Sequence, residues 1–479
     1  MGLGPIATLP ALLALAACQV GPDFVRPDPP AASRYTRDKL SLEGTSSDGD
    51  SQHLAVGTAV EGDWWSLFGS DAITGIVKQS LEHNRSLEAS QETLAQAREL
   101  ALAQAGARYP QVGLTAGAGR QQYGAELFGG SFHLPPFTYF AVGPTVSYTL
   151  DLTGGVARSI EQQEAQAEVA RQEMDAAYLS VSGQAVMQTL NIASARAQIA
   201  TLETILAQDR DNLRLVQIAF EAGSVSRIDV VSAQSQIASD SALLPPLRQE
   251  LAKAHHALSL VLGRLPENEL PPDLDFAQIP LPLELPVALP SELAHRRPDI
   301  LAAEARLHAA TSAVGVAESN LYPKIQLTGT LAQESTTPGT LFDRSGLAWS
   351  ALSGLTMPLF DGGSLHAENR AAVDAMRSTA ATYQETVLEA FTQVADLLEA
   401  LAHDAEQLAA QDQAEKAADS NLSLTRAAYQ EGNVGILQVL DAQRSSQQAR
   451  LGYVRAVAQR YLDTVQLFLA LGGTPPHNS

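Results

Sequence analysis

Few residues in this chain are spaced for catalysis. His255 and His256 are adjacent, whereas metal ligands on a helix converge at i, i+3 or i+4, so the pair reads as two surface histidines. Gly117-Ala118-Gly119 sits in an alternating stretch, lacks the third glycine of a dinucleotide fingerprint and opens no helix. The sequence holds no Walker loop, so any energy must come from a partner. Arg296-Arg297-Pro298-Asp299 is explained as a helix start, with proline and aspartate in the first turn, rather than as an anion site. The chain is therefore not expected to be an enzyme, nor to need a metal or dissociable cofactor. Leu437 and Asp441 have a different potential. Four residues apart, they share one helix face, where a leucine can exclude water and a carboxylate can attract cations.

Cys18 is the only cysteine among 479 residues, so no disulfide can form within the chain. It ends an apolar stretch too short to span a bilayer as a helix, and Leu15-Ala16-Ala17-Cys18 looks like the lipobox of a bacterial lipoprotein signal peptide. No Lys or Arg precedes the apolar run, but the position of the lone cysteine favours residues 1–17 as a signal peptide and Cys18 as the lipid attachment site. By the lipoprotein sorting rule, Gln19 after the cysteine directs the chain to the outer membrane. The formal net charge of −22 argues against nucleic acid as a partner, because duplex binding draws on clustered Lys and Arg.

The elements that position Leu437 and Asp441 occur twice. "YQEGNVGILQVLDAQ" from Tyr429 matches "FEAGSVSRIDVVSAQ" from Phe220, pairing Gly432 with Gly223 and Val434 with Val225. "LYPKIQLTGTLA" from Leu321 likewise answers "RYPQVGLTAGAG" from Arg108, and "DGGSLHAENRA" from Asp361 answers "TGGVARSIEQQ" from Thr153. Such recurrence marks an internal duplication. The expected organisation is an extended segment over 18–62, a first repeat over 63–263, a proline-rich extended linker over 264–290, a second repeat over 291–472 and a tail over 473–479. Trp64-Trp65 are expected to be packing anchors at the start of the first repeat.

Each repeat reads as helix, two short strands, a very long helix, a glycine turn and a second long helix. Ser364 to Glu431 contains no Gly or Pro and would form a rod of roughly 100 Å. Its stripe of Val387, Phe391, Val394, Leu398 and Leu401 has coiled-coil spacing, as does Ile199, Leu202, Leu206, Leu213, Val216 and Phe220 in the first repeat. Pro245-Pro246 should break the last helix of the first repeat. The strand pairs alternate apolar and polar residues, a weak signature of barrel strands. Four strands cannot close a barrel, and an open sheet edge in lipid leaves backbone groups unpaired, so membrane strands here would require several chains.

Together with "VGPDFVRP", "DWWSLFGS", "RRPDILAAEARLHAATSAVGVAESNLYP" and "GILQVLDAQ", this pattern resembles the TolC-like outer membrane factors, and more narrowly the NodT-type efflux lipoproteins. The resemblance spans Cys18 to Gly472. It implies a mainly α fold with a small membrane β part, in which a homotrimer builds one 12-stranded β-barrel continued by a periplasmic helical tunnel. It also implies an exit duct for an RND-type tripartite pump, working with a periplasmic adaptor and an inner-membrane transporter to export small toxic compounds or drugs. The turns at Gly223, Val225, Gly432 and Val434 would be the periplasmic tips that meet the adaptor. Leu437 and Asp441 would form rings at the gate, and Asp229 and Tyr429 match positions of polar links between neighbouring hairpins. The sequence departs from some relatives at Val434, where they have arginine, and at Gln438, where they have a second aspartate, so a salt-bridged latch is not implied. Alternatives to weigh are a duct for type I protein secretion and a lipid-anchored coiled-coil scaffold without a pore.

Overall fold

The computed structural model describes residues 19–30, 32, 34–37, 52–124, 135–268 and 270–473. Cys18, the signal segment, part of the loop before β3 and the C-terminal tail lie outside the described residues. In chain order the elements are β1 (His53–Val56), α1 (Asp71–His83), α2 (Arg85–Ala105), β2 (Gln111–Gln121), β3 (Phe137–Leu150), α3 (Gly155–Glu221), α4 (Arg227–Ser241), α5 (Leu244–Val261), β4 (Glu284–Val287), α6 (Pro290–Leu293), α7 (Pro298–Ser319), β5 (Lys324–Ser335), β6 (Leu347–Thr356), α8 (Ser364–Gln430) and α9 (Ile436–Ala470). The long helices α3 and α8 each contain 67 residues. Among the described residues, no helix is long and apolar enough to cross a membrane. The break expected at Pro245-Pro246 falls between α4 and α5, whereas α9 runs on without interruption.

Two compact units emerge, and each draws on both halves of the sequence. The first takes residues up to Pro27, Leu94–Ala170 and Ala303–Tyr383. Its sheet has the order β2-β3-β5-β6, antiparallel throughout, so among the described residues β2 and β6 are free edges. The register gathers Val112 and Leu114, Val142, Val146 and Tyr148, Ile325, Leu327 and Leu331, and Trp349 and Leu355 on one face. That face is open: Val112, Leu114 and Trp349 are 71%, 77% and 75% exposed. The opposite face carries Thr115, Thr145, Thr328, Thr330 and Ser350 with several glycines, and Thr330 bonds Ser350 across strands at 2.7 Å. A side chain at Gly119 would collide with the Tyr139 ring, its Cβ only 2.6 Å from Cε1, so the ring covers the glycine directly opposite it.

A short N-terminal strap binds the helices of this unit. Val20 N–H donates to Thr153 O at 3.0 Å, and the buried Arg158 guanidinium donates to Val20 O, Gly21 O, Asp23 and Glu161. Phe24 stacks on His308 with ring centroids 4.4 Å apart, and Arg26 pairs with Glu304 at 2.8 Å. Gly21, at φ 86°, lies so close to Gly315 that a Cβ would sit 2.4 Å from the Gly315 Cα. The word "VGPDFVRP" is thus a docking sequence. Burial works against a charge on Glu161, but hydrogen bonds from His308 and Arg158 outweigh it and hold its carboxyl below the usual range.

The second unit takes Asp28–Thr93, Arg171–Ala302 and residues from Gln384 onward. Its core centres on Trp64, Phe68 and Phe468, all at most 1% exposed, with Trp65 packed edge-on against Trp64. The expected packing role of Trp64-Trp65 follows. The proline-rich linker is more than a spacer. β4 within it pairs in parallel with β1, and Ile279, Leu285 and Val287 enter the core. Polar groups are buried here too: Gln52 donates to Pro282 O and Thr464 Oγ1 and accepts from Arg460 Nε. Nearby, Asp404 and Asp463 are 8% and 7% exposed. Burial, followed by a hydrogen bond and repulsion from Asp463, pushes the Asp404 carboxyl up to about 7.

Candidate functional site

The two glycine turns lie in the second unit and have the same backbone. After α3, Gly223 N–H donates to Phe220 O at 2.9 Å and Ser224 N–H to Ala219 O at 2.8 Å. After α8, Gly432 N–H donates to Tyr429 O at 3.0 Å and Asn433 N–H to Ala428 O at 2.9 Å. Both are Schellman motifs, which close the last helical carbonyls through a left-handed residue. Gly223 and Gly432 supply it at φ 74° and 78°, and no atom lies within 4 Å of where a Cβ would stand. Glycine is required here by backbone conformation alone.

The helices leaving the turns begin differently. Ser226 caps α4, where the Asp229 carboxylate accepts from Ser226 N–H at 2.7 Å and from Ser226 Oγ–H at 2.8 Å. These hydrogen bonds lower the Asp229 carboxyl below its ordinary range. α9 starts after Gly435 without a side-chain cap, and Gln438 occupies the place that Asp229 holds in the first turn. Buried Val216, Val230, Ile436 and Val439 join the two hairpins, with Val225 and Tyr429 packed against them. Val434 is half-buried beside the second turn. Within the protomer, Asp229 and Tyr429 form no hydrogen bond with each other among the described residues; one serves as a cap and the other packs in the apolar cluster.

Leu437 is 52% exposed and Asp441 is exposed, while Ile436, Val439, Ala442 and Gln443 turn inward. The two side chains thus lie on one exposed face of α9. Arg444 lies on the same face, one turn further on, and pairs with Asp441. That partner was not singled out from the sequence, although its i, i+3 spacing was readable.

Just behind this face lies a buried polar layer. Gln443 Nε2 and Gln447 Nε2 both donate to Asp209 Oδ1, at 2.7 and 2.9 Å. Gln443 Oε1 accepts from Asn212 Nδ2 and, at 3.3 Å, from Arg426 Nη2. Asp209 Oδ2 is buried and receives no hydrogen bond. Burial, then the Asp240 carboxyl, pushes the Asp209 carboxyl up to about 6 against the lowering effect of the two glutamines. The signal for this layer was a charged residue on the apolar seam, since Asp209 fills the heptad step between Leu206 and Leu213.

A strand set with one open apolar face, together with paired helical hairpins that share matched turns, is the arrangement of the outer membrane efflux channels. The chain belongs to the outer membrane efflux protein family, whose profile matches residues 76–264 and 289–473. It is 29% identical over 476 residues to the outer membrane protein OprJ of Pseudomonas aeruginosa, covering 98% of this chain and 95% of OprJ. It is also 28% identical to nodulation protein T of Rhizobium leguminosarum, covering 98% of this chain and 92% of that protein. Among solved structures, the outer-membrane channel OprN superposes with a TM-score of 0.85 at 26% identity, covering 95% of this chain and 99% of OprN. The protein is an outer membrane channel of a tripartite efflux pump, a passive duct and not an enzyme. Family members work with a periplasmic adaptor and an inner-membrane transporter.

Proposed function

We propose that three copies of this chain close one 12-stranded barrel and serve an RND-type pump that exports small amphipathic toxicants or drugs. The observation that carries this reading is the sheet with two unpaired edges and an exposed apolar face. In lipid such edges must be paired, and a neighbouring copy can supply the missing strand to each. A lipid on Cys18 adds anchorage to the outer membrane, and the turns around Gly223, Val225, Gly432 and Val434 meet the adaptor. Leu437 and Asp441 line the gate in threefold rings. Because each Asp441 carries its own Arg444, much of the charge is countered within each protomer, and the leucine ring is the main barrier to ions. The test is single-channel conductance in planar bilayers of wild type against Leu437→Ala plus Asp441→Ala. A small conductance that rises sharply in the double variant is expected. No conductance in either protein, with a folded trimer shown separately, would refute the duct and leave a coiled-coil scaffold.

A further inference from the structure

We propose that the exposed faces of α4 and α8 are the two halves of a seam between neighbouring copies of this chain, closed by Gln234 of one copy against Asn421 of the next. The inference rests on the three-copy reading above and adds the residues that hold the copies together near their turns. With Gly223 set on Gly432, the hairpin of α3 and α4 matches the hairpin of α8 and α9 position by position. Asn212 then answers Asn421, and Gln234 answers Gln443. Within the chain, one such seam is closed. α9 packs on α3, where the Asn212 amide donates to Gln443 Oε1 and both residues are buried. Beside this pair, Val216 of α3 lies in one apolar cluster with Ile436 and Val439 of α9, and Leu440 packs against it.

The counterpart of α9 is α4, and the counterpart of α3 is α8, so the same contact can be made once more between these two helices. Their matching residues stand open. Gln234 and Asn421 are exposed, although they are the same two amides that are buried against each other in the closed seam. Val231, the counterpart of the partly buried Leu440, is 50% exposed. The rest of the polar layer has changed in pairs. Asp209 accepts from Gln447 at 2.9 Å, whereas their counterparts Ala418 and Ala238 are both alanine. Replacing either partner alone would leave a polar group unsatisfied once the seam closed, and replacing both removes that penalty. A face meeting only water places no such condition on the two positions. The occupant is therefore a second copy, because the chain already holds the closed form of this seam and one face from each side of it lies open. A contact of α4 on the next α8 is head-to-tail, so it repeats from copy to copy and closes where the three-copy barrel closes.

The experiment introduces Gln234→Cys and Asn421→Cys together into the full-length protein and treats isolated outer membranes with a short bis-thiosulfonate reagent. A denaturing gel should show a ladder of two and three linked chains, lost in either single variant and in the parent, whose one cysteine is Cys18. Val231→Cys with Thr425→Cys, the counterparts of Leu440 and Val216, gives a second pair if the first does not assemble. A charge exchange reads the same contact without a reagent. Gln234→Lys with Asn421→Lys should lower the temperature at which the trimer dissociates, and Gln234→Lys with Asn421→Asp should restore it. Light scattering in detergent counts the copies separately. A trimer that gives no ladder with either pair, links formed within a single chain, or equal dissociation temperatures for the two charge variants overturns the seam and leaves the three-copy reading in place. Linked pairs of chains from a protein that never forms trimers would support the seam and reject the three-copy barrel. A protein neither trimeric nor linked overturns both.

Discussion

Replacing Gly432 by alanine isolates one physical effect. The site is open, so the added methyl meets no neighbour and the whole penalty is conformational. Holding an L-residue in the left-handed region costs about 1–2 kcal/mol, and the stiffer unfolded chain returns about 0.4–1 kcal/mol. The net loss should be on the order of 1 kcal/mol, concentrated in the turn. Asn433 N–H, which donates to Ala428 O, reports it directly. Its native-state hydrogen exchange should accelerate about fivefold in Gly432→Ala, because about 1.4 kcal/mol is tenfold. Gly432→Asn should lose less, since asparagine visits this conformation more readily. Gly223→Ala should accelerate the Ser224 amide by the same factor, its turn having the same bonds and the same open space. Unchanged exchange in Gly432→Ala, or asparagine no better than alanine, would refute the claim that conformation alone selects glycine at the tips.

Asp404→Asn should stabilise the protein above pH 7 and have little effect near pH 4. The raised carboxyl means that stability falls as the pH rises through about 7, with a ceiling of about 4 kcal/mol at about 1.36 kcal/mol for each tenfold gain in proton affinity; thermal midpoints at pH 4, 6 and 8 check this. Arg158→Gln should release the strap by removing its shared donor to Val20, Gly21, Asp23 and Glu161, a loss of about 1–3 kcal/mol. Limited proteolysis should then cut between residues 20 and 27 well before it attacks the helices. Phe468→Ala should lower the thermal midpoint strongly, because a fully buried ring between Trp64 and Phe68 leaves a cavity worth about 3–5 kcal/mol.

Local signals made most of this structure readable. Glycines in the left-handed region, a Pro-Pro break, the Gly- and Pro-free run from Ser364 to Glu431 and alternating strands are local features, and each led to the observed element. What escaped depends on distant partners. Nothing in residues 53–56 announces a parallel pairing with 284–287, and the proline content of the linker concealed the apolar residues that it buries. Asp209 was hidden for the opposite reason, because reading the apolar stripe passed over the one seam position that breaks it. The strap needed Arg158 and Gly315, more than 130 positions downstream, before "VGPDFVRP" acquired a physical meaning.

The unequal caps after the two turns break a symmetry that duplication alone would leave intact. Ser226 and Asp229 close α4 with a side-chain box, while α9 opens on Gly435 without a side-chain cap. Such a box holds a first helical turn more firmly than a glycine does, so the first turn of α9 unravels more often than that of α4. Leu437 rides in that turn. Two inherited copies of one hairpin have thereby become a stiffer member and a looser one through a single pair of side chains, and thermal noise is directed to the copy that carries the leucine.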